Sequence, residues 1–144
     1  MSVSSILTSL QSSVSTTLGA DWKELDYVYA LEDNNFRDGD LRYGIGADSG
    51  DTVIGVNKSA TFDFSFFVIL TKSFINRSCD AKERVALSEI YDEFSAIDIS
   101  VFQKKLNNAS VLLVQDISYD SPNRIDKGTI SVRVNFTIKF RNTL

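Results

Sequence analysis

The fold is decided by residues 61–74, which read Thr-Phe-Asp-Phe-Ser-Phe-Phe-Val-Ile-Leu-Thr-Lys-Ser-Phe. The first half alternates between phenylalanine and polar residues, so the two kinds of side chain fall on opposite faces of an extended chain. One face carries Phe62, Phe64 and Phe66, and the other carries Asp63 and Ser65. From position 66 to position 70 both faces are apolar, and the aromatic and β-branched content favours a strand over a helix. The pattern predicts a central strand that starts half exposed, ends buried, and has partners on both edges.

Two amphipathic helices are predicted, one before and one after this strand. Residues 4–18 place apolar side chains at helical spacing behind a serine-rich start, and Gly19 follows as a stop signal. The opposite face of this helix is uncharged, so we expect docking onto a core to hold it. The second helix begins at Asp80, because Glu83 lies three residues further on and completes a capping box. The side chains expected to be buried are Ile6, Leu7, Leu10, Val14 and Leu18 in the first helix and Ala86, Leu87, Ile90, Tyr91, Phe94 and Ile97 in the second.

A separate short helix is predicted over residues 101–106, where the pattern of the second helix is interrupted. Ser100 and Gln103 repeat the spacing of a capping box at its start. Its expected buried side chains are Phe102 and Leu106.

Three other stretches have the patterns of strands. Residues 22–31 alternate through leucine and tyrosine, and residues 129–142 have the most regular pattern in the chain. Residues 111–119 are apolar on both faces over 111–114, which predicts that this part lies in the core. Residues 120–128 hold the only proline and are predicted to connect the last two strands as an antiparallel hairpin.

The least regular stretch runs from residue 32 to residue 60 and is rich in glycine and aspartate. Short patterned pieces at 41–45 and 52–56 predict a long hairpin-like excursion, whose tip at 46–51 has turn chemistry and little to bury. Long irregular insertions in compact domains are usually functional, so we expect residues 38–51 to be an assembly element that is mobile until a partner orders it. Arginine and tyrosine are enriched at interface hot spots. The candidate contact residues here are Arg37, Asp38, Asp40, Arg42 and Tyr43.

The polar face of residues 129–142 allows two interpretations. It is either a solvated face or a surface that another subunit covers, and its length and regularity suit the second interpretation as well as the first. Both stay open at this point. The basic residues that it adds to the candidate interface are Arg133, Lys139 and Arg141.

Length and composition predict one globular domain, spanning residues 1–144, with 43% hydrophobic and 24% charged residues. No apolar run approaches the roughly 20 residues that cross a bilayer, and the pattern of a signal peptide is missing. We therefore expect the protein in the cytoplasm of the cell that makes it, without a membrane partner. The single cysteine, Cys79, cannot form an internal disulfide, which agrees with a reducing compartment.

The charge balance and the lack of histidine narrow the functional classes. A formal net charge of −4 and a pI near 4.8 argue against a nucleic acid gripped through its phosphates. An acidic surface still suits a passage along which DNA slides without binding. The absence of histidine excludes histidine-dependent triads and histidine zinc ligands.

Three motifs are candidate sites, and each has a structural explanation. Residues 33–40 do not have the ligand spacing of a calcium-binding EF-hand loop, and residues 44–46 lack the third glycine of a dinucleotide site. A magnesium site for hydrolysis remains an alternative, although carboxylates near turns are also ordinary turn formers. Its ligands would be Asp38, Asp40, Asp48 and Asp51. We therefore predict no catalytic, cofactor or metal site, with a metal-dependent hydrolase as the less favoured alternative.

The elements follow the order helix, strand, long polar hairpin, buried strand, helix with a short second helix, and long terminal hairpin. The stretches that define this layout are Trp22-Lys-Glu-Leu, Asn35-Phe-Arg, Arg42-Tyr-Gly-Ile, residues 61–74, Tyr91-Asp-Glu-Phe and residues 130–141. In layout and size, over nearly the whole chain, the sequence resembles the tail terminator (tail completion) proteins of tailed bacteriophages. None of these stretches is a catalytic signature.

The resemblance implies an α+β fold, with a mixed, largely antiparallel sheet of about four to five strands and helices packed on one face. It also implies a non-enzymatic virion protein of the tail and neck, which assembles in the host cytoplasm as a hexameric ring. The implied partners are other copies of the chain, the tail tube protein on one ring face and a neck or head-completion protein on the other. DNA would pass through the lumen without specific binding. Other neck proteins, stopper proteins and tail tube proteins share much of this architecture and stay alternatives.

Overall fold

The computed structural model describes residues 2–54, 59–74, 80–104, 106, 110–126 and 128–143. The helices are α1 (Val3–Leu18) and α2 (Asp80–Ile97); the strands are β1 (Lys23–Glu24), β2 (Leu41–Ile54), β3 (Ser59–Ser73), β4 (Val111–Tyr119), β5 (Asn123–Asp126) and β6 (Thr129–Thr143). The strands form a sheet of order β1-β2-β3-β6-β4, in which β5 also pairs with β6. β1 and β2 are parallel and all other pairs are antiparallel. The expected α+β fold with a mixed, largely antiparallel sheet is confirmed, with six strands.

The central strand is β3, as its sequence pattern predicts. It pairs with β2 along one edge and with β6 along the other. Residues 61–65 are partly exposed, whereas residues 66–71 are buried, so the predicted change along the strand is confirmed. The face under the helices takes Phe66, Val68 and Leu70, and the opposite face, which we call the outer face, takes Phe67 and Ile69.

Helices α1 and α2 cover one face of the sheet and enclose the main core. The Ser2 side chain caps α1 by accepting a hydrogen bond from the Ser5 N–H at 3.1 Å, and Gly19 ends the helix at a φ of 89°, a left-handed value that favours glycine. The helices contribute the buried side chains Ile6, Leu10, Val14, Ala86, Ile90, Phe94 and Ile97. The apolar side of β6 faces them with Ile130, Val132, Val134, Phe136, Ile138 and Phe140, all buried. The predicted stripes are confirmed in part: Leu7, Leu18 and Leu87 are only partly buried against the core, and Tyr91 is 37% exposed at the rim.

The end of α2 differs from the prediction. Residues 98–103 do not begin a separate helix but continue α2 directly as a π-helix, Asp98–Gln103. The wider π turn takes up an extra residue, which explains why the helical periodicity breaks there. Phe102 and Leu106 nevertheless reach the core as expected, and the Phe102 ring centroid lies 4.7 Å from that of Phe136.

The predicted strand at residues 22–31 is wrong except for β1, which has only two residues, both exposed. After β1 the chain crosses the outer face of the sheet, and we call residues 25–36 the cover segment. The side chains that it packs onto the sheet recur every third residue at first, which does not match the period of a strand. Leu25, Val28, Leu31 and Phe36 pack with Phe67 and Ile69 in a second, smaller core.

The expected hairpin-like excursion is wrong in its middle, because residues 41–54 form one continuous strand, β2. It pairs with β3 from Leu41 opposite Lys72 to Ile54 opposite Ala60, so the predicted tip at 46–51 lies inside a strand. A bulge between Ala47 and Gly50 shifts the register. Before the bulge the odd-numbered residues of β2 lie opposite even-numbered residues of β3, and after it the even-numbered residues of β2 do, which hides the alternation from a sequence reading. Residues 55–58, which connect β2 to β3, lie outside the described residues.

The antiparallel pairing of β4 with β6 is confirmed, but β4 is an edge strand. Val111 is buried, whereas Leu113 is 41% exposed, so the expected burial of residues 111–114 on both faces is wrong. The connection at 120–128 is more ordered than predicted. The chain leaves the ladder near Pro122 and then rejoins β6 as β5, up to Asp126 opposite Thr129.

Candidate functional site: the edges and the outer face of the sheet

The edge formed by β4 carries three exposed apolar side chains within nine residues. Leu113, Ile117 and Tyr119 are 41%, 39% and 45% exposed. In the described part of the chain, no strand pairs with β4 on the side away from β6. An edge strand with unpaired backbone groups and apolar side chains is a template for pairing with another chain.

Two bulges make β4 irregular. The register against β6 shifts between Val111 and Leu113 and again between Gln115 and Ser118, and Asp116 adopts a φ of 56°. Bulges of this kind bend and twist an edge strand and re-aim its side chains. They bring the Tyr119 ring against the rings of Tyr91 and Phe94 on α2, with centroid distances of 6.1 and 5.4 Å.

The surroundings of Tyr119 also act on its hydroxyl. Burial of the ring raises the pKa of Tyr119, and the nearby Asp98 carboxylate and Tyr91 raise the pKa further. Tyr119 therefore stays neutral at physiological pH, and its uncharged ring extends the apolar edge of β4 onto α2.

The other edge of the sheet, along β2, is only partly paired. β1 pairs with Arg42 and Tyr43, and the Leu25 N–H donates to the Tyr43 carbonyl at 2.8 Å. Beyond Tyr43 the described residues include no strand on this side of β2. At Ala47 the Tyr29 hydroxyl takes the place of a strand: it donates to the carbonyl at 2.9 Å and accepts from the N–H at 3.0 Å.

Two glycines of β2 allow the cover segment to approach the outer face. A Cβ at Gly44 would lie 2.4 Å from Val28 Cγ1, and a Cβ at Gly46 would lie 2.2 Å from Phe67 Cζ and 2.9 Å from Tyr29 Oη. Real Cβ atoms do not approach this closely, so both positions require glycine for packing. The glycines at 44 and 46 thus belong to the smaller core and have no place in a nucleotide-binding turn.

Arg133 is the centre of a polar network on the outer face. Its guanidinium carbon lies 3.9 Å from the ring centroid of Phe67, a cation–π arrangement. Nη2 donates to Asp48 Oδ2 at 2.6 Å, and Nε donates to Asn135 Oδ1 at 2.7 Å and lies 3.8 Å from Asp120 Oδ2. Asn135 Nδ2 donates in turn to Asp120 Oδ1 at 2.9 Å. The network joins the bulge of β2, strand β6 and the residue after β4 across one face.

The other two basic candidates of β6 lie further along the same face. Lys139 Nζ is 3.8 Å from Asp63 Oδ1 on β3, and both side chains are more than a third exposed. Arg141 is exposed, and its backbone N–H donates to the Ser110 carbonyl at 2.8 Å. The cover segment packs at the Phe67 and Ile69 end of β3. This face is therefore a mixed-charge, partly covered surface.

The candidates at the start of β2 divide into a surface group and a core residue. The Asp40 carboxylate accepts from the Arg37 N–H at 2.9 Å and lies 3.6 Å from Arg42 Nη2, while Asp38 is exposed nearby in the chain. Arg42 Nη1 also donates to the Glu24 carbonyl at 3.3 Å.

Tyr43 does not belong to this surface: it is 4% exposed under α1, and its hydroxyl accepts from Gln11 Nε2 at 3.2 Å. Its odd-numbered position in β2 turns it toward the core.

Among the described side chains, the carboxylates proposed for a magnesium site are not brought together as a ligand set. Asp40 is bonded near Arg37 and Arg42, Asp48 is bonded to Arg133, and the side chain of Asp51 lies outside the described residues. Across the described part of the chain, no group of three or more His, Cys, Asp or Glu side chains is arranged to hold a metal ion.

One cavity of about 400 Å³ lies beside α2. Its lining includes Lys72, Phe74, Val85 and Glu89. Burial lowers the pKa of Lys72, and the negative charge of Glu93 raises the pKa by a smaller amount. Lys72 is also ion-paired with Glu89. Because its ammonium group is held in this ion pair, we interpret Lys72 as a structural residue.

The sequence analysis missed the residues that define the edges. Leu113 was assigned to the buried start of a strand, Ile117 was placed in the same strand without a predicted role, and Tyr29 was assigned to the alternation of another strand. A signal was present for β4, because the polar residues Gln115, Asp116 and Ser118 follow its apolar start and are typical of an edge. No local signal identifies Tyr29, since its partner Ala47 lies 18 residues away.

The chain matches none of the protein-family models against which it was compared. A comparison with curated proteins also finds no match. Among the described helices, none is long and apolar enough to cross a membrane.

Proposed function

We propose that this chain is a structural virion protein of a tailed bacteriophage: a tail terminator that forms a hexameric ring, caps the tail tube and joins it to the neck of the head. The observation that carries the proposal is that, among the described residues, no strand pairs with β4 on the side away from β6 or with β2 beyond Tyr43, and that the β4 edge is lined by apolar side chains. The resemblance in layout to tail terminator proteins supplies the particular role.

The directions of the strands support a ring. Strands β2, β3, β6 and β4 alternate in direction, so the two edge strands run opposite to each other. When β4 of one copy meets β2 of the next, the pairing is antiparallel and the sheet continues with the same face inward. Repeating a head-to-tail contact of this kind closes a ring when the rotation between neighbouring copies is a whole fraction of a full turn.

The two faces of the sheet support the placing of the ring around DNA. The helices occupy one face, which leaves the outer face, partly covered by the cover segment, for the lumen. On that face Lys139 lies near Asp63 and Arg133 is paired with Asp48, so these two basic groups are compensated. A compensated surface on a chain with a net charge of −4 suits a passage that does not bind phosphates.

Light scattering and negative-stain electron microscopy of the purified chain test the proposal. We expect hexameric rings, and we expect Leu113→Lys to abolish them by placing a charge in the β4 contact. Val85→Lys is the matched control, because Val85 is also an exposed apolar residue, at 58%, but lies on α2 in the lining of the cavity. Monomers at every concentration, or rings that survive Leu113→Lys, contradict the edge-to-edge ring.

The role of terminator is tested by adding the chain to tail tubes of the phage that encodes it. A terminator binds the tube end and stops growth at a defined length. Polymerisation of the chain into long tubes identifies a tube protein instead, and binding only to the neck of the head identifies another neck component.

A further inference from the structure

Tyr29 occupies the edge of β2 in the way that a neighbouring strand would. Its hydroxyl satisfies both the carbonyl and the N–H of Ala47, at 2.9 and 3.0 Å, although the residue as a whole is 72% exposed. The Tyr43 carbonyl, four residues earlier and on the same side of the strand, is paired with Leu25 of the cover segment. Tyr29 therefore marks the point where the paired part of the edge ends and the open part begins.

The position of Tyr29 is defined by packing. Its ring lies edge-on to the fully buried Phe67, with centroids 5.6 Å apart and an interplanar angle of 85°. Gly46 leaves the space for this contact. Asn34 holds the turn before it, because its side chain bonds to both the N–H and the carbonyl of Tyr27, at 3.0 and 2.8 Å.

The cap and a partner strand cannot bond to Ala47 at the same time. Backbone N–H and C=O groups on an edge each take a partner when a strand is added, and the Tyr29 hydroxyl already fills both positions. An added strand must therefore either stop before Ala47 or displace the hydroxyl. The ring of Tyr29 is exposed enough to rotate toward solvent without opening the main core.

We propose that Tyr29 is a removable cap on the edge of β2, which shields this edge in the isolated subunit and is displaced by β4 of a second copy. This inference rests on the proposed ring and specifies how its assembly is held back. The free subunit keeps its edge occupied, and pairing occurs only when the contact with β4 outweighs the two hydrogen bonds of the cap. The binding-competent state of the edge is thus a minor population, which weakens the apparent association.

The test compares Tyr29→Phe with the native chain by sedimentation equilibrium. The substitution keeps the ring against Phe67 and removes only the hydroxyl. Two neutral hydrogen bonds of ordinary net strength correspond to roughly a 5- to 150-fold change in an equilibrium constant, so we expect association to tighten by a factor in that range. Tyr27→Phe is the control, since Tyr27 is 54% exposed and its bonds to Asn34 come from the backbone. It should leave association unchanged.

A second measurement follows the cap itself. In dilute, monomeric samples, hydrogen exchange at the Ala47 amide should become at least several-fold faster in Tyr29→Phe than in the native chain and in Tyr27→Phe. The double variant Tyr29→Phe/Leu113→Lys should lose the gain in association, because the charge blocks the strand that displaces the cap.

The outcomes separate the cap from the ring. If rings form but Tyr29→Phe associates no more tightly than the native chain, the cap is overturned and the ring stands. If exchange at Ala47 does not change, the hydroxyl does not protect the edge and the cap is again overturned. If neither chain associates at any concentration, both the ring and the cap fail.

Discussion

The face of the sheet under the helices and the outer face are covered in different ways. The helix-covered face is lined by a continuous row of apolar residues on β6, and α1 and α2 complete its core within one subunit. The outer face has a small core at the Phe67 and Ile69 end of β3, which depends on an irregular segment and two glycines. Its remaining described side chains are mostly polar: Thr71, Ser73, Thr129 and Ser131 are buried, and most of the others are partly exposed. The first face explains the stability of the subunit, and the second leaves surface for contacts.

The largest effect is expected on the helix-covered face. Phe136 is 1% exposed and contacts the rings of Phe66 and Phe102. Phe136→Ala should lower the free energy of unfolding by about 3–5 kcal/mol, because it opens a cavity that rigid neighbours cannot fill. Urea denaturation of the monomeric subunit measures it. Thr137→Ala, the next residue of β6 on the outer face, is the control, and its loss should stay below about 1 kcal/mol. Equal losses would mean that the outer face is as tightly packed as the core.

The same contrast explains how far the fold could be predicted from the sequence. On β3, β6, α1 and α2 the side chains face one continuous core, so a period of 2.0 or 3.6 residues is visible in the sequence. On β2 the bulge after Ala47 exchanges the faces, and Gly44 and Gly46 stand where apolar side chains would give a signal. The cover segment bonds to residues far along the chain, such as Tyr29 to Ala47. Local spacing cannot report a contact of this kind.

The candidate interface was predicted only in part for a related reason. Charged residues were predicted to contact a partner, yet Arg133, Asp48 and Asp40 bond within the subunit. Tyr43 is buried in the core. The apolar start of β4 was read as burial because a sequence does not show which strand ends the sheet. Exposure of Leu113 and Ile117 appears only when the strand order is known.

An intermediate effect is expected where the cover segment meets β2. Gly46→Ala should lower the free energy of unfolding by about 1–3 kcal/mol, since the new methyl group overlaps the buried Phe67 ring and the Tyr29 hydroxyl. Thermal or urea unfolding detects the loss. Ser49→Ala, three residues later at the exposed bulge, is the control and should change little. An equally stable or more stable Gly46→Ala would show that Phe67 can shift, and that the small core is looser than the main one.

The smallest effect is expected in the polar network of the outer face. Asp48→Asn keeps the size of the side chain and removes the charge that meets Arg133 Nη2 at 2.6 Å. Both side chains are about a third exposed, so water screens the pair, and the loss in free energy of unfolding should be about 0.5–1 kcal/mol. Salt supplies the sharper measurement, because the difference between Asp48→Asn and the native chain should shrink as ionic strength rises from about 0.01 to 1 M. Asp120→Asn is the matched variant, since Asp120 lies 3.8 Å from Arg133 Nε and is 57% exposed, and its charge should matter less. If the loss for Asp48→Asn does not depend on salt, or if it equals the loss for Phe136→Ala, the outer face is held by packing, and the contrast between the two faces is wrong.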